Sequence, residues 1–305
     1  MHHSNEQYHR SNEEITDVDS TLEALSRQEE SFYLVDDYFQ NLPRHSSDEH
    51  LPVDADARQQ IAKWSIKIIE ALQCSNDIAE ILMSCLDRFV STKNGETILL
   101  DRSQYQLAAL TALYSSVKIH NPTALSPEFV SKLSRGEYCK YDIEAMERRM
   151  LDAIQWRVNP PTAMDFVRIY LDMSLVWNWL DLRTQDIVLE LVGYQINLSI
   201  SEFDISTSKA SHIAIASLLN ATKSIHPKET YLYESIRDVT SFTCDIDEKT
   251  LENLQRKLYE GMVQENNVKI NSLNETICGR TVNMKSNSFT ESPRSVYEYN
   301  RNTIV

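Results

Sequence analysis

The sequence predicts an all-α protein built from two consecutive five-helix bundles. Only 5 glycines and 8 prolines occur among 305 residues, against usual shares of roughly 7% and 5%, so the residues that form tight turns and strand corners are scarce. Apolar residues instead recur at the 3.6-residue period of amphipathic helices through most of the chain. The helical pattern also occurs twice, with five segments on each side of Pro160-Pro161.

The first five predicted helices follow a polar linker that runs from His45 to Val53. Asp54 is a suitable N-cap for the first of them. The third is apolar on nearly every side, which is typical of a helix in the middle of a bundle. The five segments cover residues 54–73, 76–93, 102–120, 127–133 and 142–156.

The second set repeats this arrangement, and its middle helix is again the most apolar, from Ile213 to Leu219. Its segments cover residues 162–175, 182–200, 207–225, 231–242 and 247–262. The predicted organisation is therefore a disordered segment (1–28), a short helix around Phe32, Val35 and Phe39 that leads into the first bundle (29–160), the second bundle (161–262) and a flexible segment (263–305).

Composition argues against several classes of function. The chain has 30 Lys and Arg against 45 Asp and Glu, a formal charge of −15, so we expect neither nucleic acid nor an anionic membrane as a partner. It has neither a signal peptide pattern nor an apolar run of 18 residues. The five cysteines are odd in number and make no CxxC pair, which predicts a reducing, intracellular compartment without disulfides or zinc.

The sequence contains no motif that predicts catalysis. Phosphate-binding glycine loops, HExxH, GxSxG, EF-hand loops and kinase signatures are all missing, and the five glycines are scattered at positions 95, 136, 193, 261 and 279. We therefore predict a protein without catalytic residues, metal or cofactor. Its function would be to dock onto another macromolecule.

Two charged residues adjoin the apolar stripes of the first bundle: Lys118, at the end of the central helix, and Glu147, which follows Met146. An ammonium and a carboxylate beside exposed apolar residues can bond the backbone of an incoming segment with charge-assisted strength. The alternative is that Lys118 simply extends into solvent from a helix end while Glu147 pairs at the surface with Arg148 or Lys140. Such a surface pair would contribute under about 1 kcal/mol to stability.

The flanking motifs resemble the cyclin box in order and spacing. They are Arg58-Gln-Gln-Ile61-Ala-Lys-Trp64, Leu86-Asp87-Arg88-Phe89, Gln106-Leu107, Val117-Lys118, and Met146-Glu147 with Leu151 and Trp156. The resemblance covers about residues 32–260 and is strongest in the first bundle. It implies two tandem cyclin-box bundles.

By this resemblance, Lys118 and Glu147 would hold the αC-helix region of a cyclin-dependent kinase, and Arg58 and Asp87 would tie the first two helices together. The protein would form a heterodimer with that Ser/Thr kinase and activate it, and so control cell-cycle progression. Kinase substrates or inhibitors would be further partners. Its expected location is the nucleus and cytoplasm.

One part of the pattern departs from the family. Cyclins commonly have Met-Arg-x-x-Leu-x-Asp-Trp in the first helix, where this chain has Ala57 and Lys63 in place of Met and Asp. Ile61 and Trp64 could still form a shallow substrate-docking patch, although Trp64 suits the core equally well. Ser292, followed by Pro293, is a candidate proline-directed phosphorylation site.

Two other functions remain open at this stage. One is a cyclin-fold transcription factor akin to the B-class initiation factors, but those are basic and usually carry a zinc ribbon, for which this chain lacks the cysteines. The other is a scaffold that has the cyclin fold but binds no kinase.

Overall fold

The computed structural model describes residues 12–35, 37–41, 52–121, 125–224 and 230–277, and within these ranges it contains helices and no strand. The predicted all-α class is therefore confirmed. The α-helices are α1 Asn12–Gln28, α2 Ala55–Ala71, α3 Asp77–Val90, α4 Arg102–His120, α5 Pro127–Leu133, α6 Lys140–Ala153, α7 Ala163–Met173, α8 Leu182–Ser201, α9 Phe203–Ser206, α10 Ala210–Ser224, α11 Thr230–Thr243 and α12 Glu248–Ile277.

The first bundle consists of α2 to α6, with α4 at its centre. Every side chain from Tyr105 to Val117 is buried, because α3 and α6 pack on opposite parts of α4 and α2 also contacts it. The predicted N-cap of α2 is confirmed, since the Asp54 carboxylate accepts a 2.8 Å hydrogen bond from the Ala57 N–H.

The second bundle has the same plan around α10, which contacts α7, α8, α11 and α12. Its side chains from Ile213 to Thr222 are all buried. The short helix α9, which links α8 to α10, was not predicted as a separate element. The connection between the bundles is only Ile154 to Thr162, which ends in the capping box of Thr162 and Asp165 at the start of α7.

The N-terminal region differs from its prediction. Residues up to 28 were expected to be disordered, but α1 begins at Asn12, buries Leu22 in the core and contacts α7. Conversely, the helix expected around Phe32 to Phe39 is broken into one π-helical turn, Glu29–Tyr33, and one 3-10 turn, Tyr38–Asn41. Leu22 is buried, and Val18 and Leu25 on the same stripe pack partly buried against the core, which explains why a largely polar segment is helical.

The last helix is longer than predicted. The flexible segment was expected from residue 263, yet α12 continues to Ile277. No glycine or proline occurs between residues 262 and 277 to end the helix earlier. Residues 1–11 and 278–305, including the candidate phosphorylation site Ser292, lie outside the described residues.

Three charged side chains connect the halves by binding helix ends of the second bundle. Arg58 Nη1 donates to the Ile200 carbonyl, near the end of α8, at 3.0 Å. Glu80 Oε2 accepts from the Ala163 N–H, the first of α7, at 2.7 Å. Glu29 accepts from the N–H and the hydroxyl of Ser211, at the start of α10, at 3.0 and 2.7 Å. These three contacts, here called the junction caps, place a guanidinium at a carbonyl and carboxyl oxygens at N–H groups, so that each helix end gains a hydrogen-bond partner.

Candidate functional site

Lys118 and Glu147 form an ion pair between α4 and α6. The Lys118 Nζ lies 2.7 Å from Glu147 Oε1, with 41% of the lysine side chain and 13% of the glutamate side chain exposed. The same oxygen accepts a 2.7 Å hydrogen bond from the Ser115 hydroxyl, and the ammonium lies 4.7 Å from the centre of the Tyr114 ring. The pair is thus held in place from both sides while remaining accessible to solvent.

The two helices determine where these charges emerge. Since α4 is buried through Val117, Lys118 is its first charged residue at this end, with its side chain partly exposed. On α6, Ile143, Met146 and Met150 face the core at spacings of three and four, which turns Glu147 toward the edge of that buried stripe. Contact between α4 and α6 then brings the ammonium and the carboxylate together.

Apolar residues lie close to the pair along the chain. Ile119 and Trp156 are exposed, and the half-buried Leu151 lies one turn beyond Glu147 on the same face of α6. We call Lys118, Ile119, Glu147, Leu151 and Trp156 the α4–α6 face. Trp156 has a left-handed backbone, φ 58°, after the end of α6, and its N–H donates to the Leu151 carbonyl at 2.8 Å. This turn projects the indole to solvent.

Arg58 and Asp87, the other charged residues that the sequence singled out, are also adjacent. Arg58 Nε and Nη2 donate to the two carboxylate oxygens at 3.0 and 2.6 Å, a bidentate bond between α2 and α3. Both side chains are almost fully buried. Burial alone would lower the pKa of Arg58, but Asp87 more than offsets this and raises it, so the guanidinium stays charged.

The predicted docking patch on α2 is wrong as an exposed surface. Ile61 is 1% exposed and Trp64 is 5% exposed, and both belong to the hydrophobic core. The spacing of Ile61, Trp64 and Ile68 places them on the inward face of α2, where the rest of the bundle covers them. Lys63 and Lys67 lie on the exposed face instead.

Several residues of these sites were not identified from the sequence. Ser115 and Tyr114, which bond and underlie the Lys118–Glu147 pair, precede Lys118 by three and four residues, so helical spacing was the available signal. Tyr38 donates its hydroxyl to Asp87 Oδ1 at 2.8 Å across 49 residues of chain. No local pattern indicates a contact that distant.

The described residues contain no group of three or more His, Cys, Asp or Glu side chains that could hold a metal ion. Cys74, Cys85, Cys139 and Cys244 are free thiols. Among the described helices, none combines the length and the hydropathy needed to cross a membrane.

Comparison with known proteins identifies both bundles. The family model of the cyclin N-terminal domain matches residues 21–159, and that of the cyclin C-terminal domain matches residues 161–289. The solved structure of the CAK complex from Chaetomium thermophilum bound to ATP-gamma-S contains a chain of similar fold, with a TM-score of 0.53 and 14% identity over 94% of this chain and 89% of that one.

Relatives at low identity come from plants, among other organisms. Cyclin-B2-1 of Arabidopsis thaliana is 21% identical over 247 residues, which are 80% of this chain and 53% of that protein. G2/mitotic-specific cyclin-2 of Medicago sativa is 24% identical over 175 residues, which are 57% of this chain and 49% of that protein. The chain therefore spans about half the length of these relatives. With both domain models matched in order, it belongs to the cyclin family, whose members are regulatory, non-catalytic subunits.

Proposed function

We propose that this chain binds a cyclin-dependent Ser/Thr protein kinase through the α4–α6 face and activates it in the nucleus and cytoplasm. The observation that supports this most directly is the Lys118–Glu147 pair, which is held by Ser115 and has the exposed apolar residues Ile119 and Trp156 on or just after the same two helices. A charged pair with an apolar border is suited to bind a helix that presents both backbone polar groups and apolar side chains.

The chemistry of the pair fits backbone recognition. A lysine ammonium has three N–H donors, so Lys118 can bond Glu147 and still donate to a carbonyl of an incoming segment. The glutamate can accept from N–H groups of that segment. Apolar contacts from Ile119, Leu151 and Trp156 would exclude water, which strengthens both kinds of bond.

Activation would follow from differential binding. The chain contributes no catalytic group; it would bind more tightly to the kinase conformation in which αC completes the Lys–Glu ion pair needed for phosphoryl transfer. Loss of a central contact worth about 2 kcal/mol would shift that equilibrium roughly thirtyfold. Activation should therefore be sensitive to single residues of the α4–α6 face.

The first test is charge reversal of Glu147. Glu147→Lys places two cations together at the face and removes the acceptor, so co-purification with a cyclin-dependent kinase should fall at least about thirtyfold. The helical circular-dichroism spectrum should stay native. Undiminished kinase binding would overturn the assignment.

A charge swap separates a role in binding from a role in folding. The double variant Lys118→Glu with Glu147→Lys keeps an ion pair inside the molecule but reverses its polarity toward the partner, so it should fold normally and still fail to bind the kinase. Glu248→Lys, which breaks the exposed Arg237–Glu248 pair of the second bundle, is the matched control and should bind normally. A folded wild-type chain that captures no kinase would instead indicate a kinase-independent scaffold.

A further inference from the structure

The start of α8 exposes large apolar side chains on the second bundle, far along the chain from the α4–α6 face. Trp179 is 80% exposed, Leu182 77% and Leu175 68%. Within α8, Leu182, Asp186 and Leu189 follow one another at spacings of four and three, so they share one side of the helix. We call Leu175, Trp179, Leu182, Asp186 and Leu189 the α8 entry surface.

This surface is also acidic. Asp181, Asp186 and Glu190 are exposed there, against a single exposed arginine, Arg183. An occupant with apolar side chains and an excess of positive charge would complement it. Because the chain as a whole has a formal charge of −15, most of its segments lack the excess of positive charge that such an occupant needs.

Helix α12 packs against a different side of α8. A Cβ on Gly261 would lie 3.5 Å from a methyl carbon of Leu198 within α8. At 3.6 residues per turn, Leu198 lies about 160° around α8 from Leu182 and about 180° from Leu189. Packing of α12 on α8 therefore leaves the α8 entry surface uncovered.

The residues that follow α12 have the complementary composition. Segment 278–305 contains four cations, Arg280, Lys285, Arg294 and Arg301, and two anions, Glu291 and Glu298, so its side chains sum to +2. Its large apolar residues are Val282, Met284, Phe289, Val296, Tyr297, Tyr299, Ile304 and Val305. This is the reverse of the charge of the chain as a whole.

We propose that segment 278–305 docks on the α8 entry surface of its own chain. Its 28 residues can reach at most about 90 Å when extended, about three times the roughly 30 Å length of the 20-residue α8. Attachment to α12 makes the contact intramolecular, with an effective concentration in the millimolar range, so even a weak peptide affinity would keep it formed. The apolar residues would cover Trp179 and Leu182, and the cations would face Asp186 and Glu190.

Hydrogen exchange on the full-length chain provides the first test. Reversing the four cations, Arg280→Glu, Lys285→Glu, Arg294→Glu and Arg301→Glu, should release the segment and speed amide exchange in residues 175–190 by about tenfold. The matched control reverses four exposed lysines of the first bundle, Lys63, Lys67, Lys93 and Lys132, and should leave this region unchanged. Equal exchange in wild type and segment variant would overturn the proposal.

Zero-length cross-linking identifies the occupant. Carbodiimide treatment of wild type should join Lys285 to Asp186 or Glu190, and the variant Trp179→Ser with Leu182→Ser should lose at least about nine tenths of that product. Phe242→Ser, at the exposed Phe242 on α11, is the control and should retain it. In an equal mixture of ¹⁴N- and ¹⁵N-labelled protein, the product should carry a single label. Mixed-label products would show that a second copy is the occupant, and cross-links elsewhere or none would exclude docking at this surface.

Discussion

At the residue scale, Arg58 has more structural roles than any other side chain of the first bundle described above. Its guanidinium bonds both oxygens of Asp87, donates to the Ile200 carbonyl of the other bundle and lies 5.2 Å from the centre of the Phe203 ring. All these bonds are buried, where an unpaired charge is costly. The residue therefore couples α2 to α3 and the first bundle to the second.

Arg58→Met should destabilise the protein severely. The substitution leaves the Asp87 carboxylate buried with Tyr38 as its remaining hydrogen-bond donor among the contacts described, at an expected cost of about 3 to 5 kcal/mol in the free energy of unfolding. Arg237→Met is the control, because both partners of the Arg237–Glu248 pair are exposed and the pair should contribute under about 1 kcal/mol. Chemical denaturation measures both, and a similar small loss in the two variants would contradict the structural role of Arg58.

The candidate site shows what a sequence can indicate about single residues. Lys118 and Glu147 were identified through the order of their flanking motifs, and the structure places them 2.7 Å apart. The exposure of Ile61 and Trp64 could not be deduced in the same way, because a helix stripe shows which residues share a face but not whether another element covers that face. Their burial removes the substrate-docking patch that the motif alone suggested.

At the scale of elements, the N-terminus of α7 is bound by groups from both sides of the junction. Thr162 caps the Asp165 N–H from within the second bundle, and Glu80 of α3 accepts the Ala163 N–H from the first. The pKa of Glu80 is raised to about 8, chiefly by burial; the nearby Asp77 and Asp165 also raise it, and the bonds from the Ala163 and Met164 N–H groups act to lower it. The carboxyl group is therefore protonated in the folded protein at mildly acidic pH.

This environment predicts a pH dependence of stability. A carboxyl whose folded pKa lies above its unfolded pKa binds protons more tightly when folded, so the free energy of unfolding decreases as pH rises from about 4.5 to about 8. Glu80→Gln keeps an acceptor for the Ala163 N–H but removes the titration, and should flatten that decline by on the order of 1 to 3 kcal/mol.

Thermal unfolding at several pH values measures this effect. Glu144→Gln, at an exposed position of α6, is the control and should leave the slope unchanged. Parallel wild-type and Glu80→Gln curves would show that Glu80 does not titrate differently on folding.

Helices α2 to α8 could largely be predicted from the sequence, whereas the N-terminal helix α1 could not. The bounds of α2 to α8 follow from local apolar periodicity, and those of α4 match the prediction at both ends. The N-terminal helix α1 was missed because its polar composition is typical of disorder, while the burial of Leu22 depends on α7, which is more than 130 residues away. A local sequence pattern cannot indicate a contact between residues so far apart along the chain.

At the scale of the whole molecule, the repeated plan was predictable but the joining of its halves was not. Two equivalent sets of five segments around a double proline indicated two bundles, each with a buried central helix. The junction caps link residues 29 to 211, 58 to 200 and 80 to 163. Each pair is separated by at least 83 residues, so only the assembled fold shows that they meet.

The junction caps bear on whether either bundle can exist alone. Each junction cap joins a side chain of the N-terminal half to a helix end of the second bundle. A cut after Asn159 would leave Arg58 without its carbonyl acceptor and Glu29 and Glu80 without their N–H donors. The ends of α7, α8 and α10 would lose the same hydrogen bonds. Fragments 1–159 and 160–305 should each be poorly soluble when expressed separately, and should recover a soluble complex by fragment complementation when co-expressed. Two independently soluble, fully helical fragments would contradict this. If the fragments behave in this way, the repeated bundle is one cooperative folding unit rather than two modules that evolution could exchange separately.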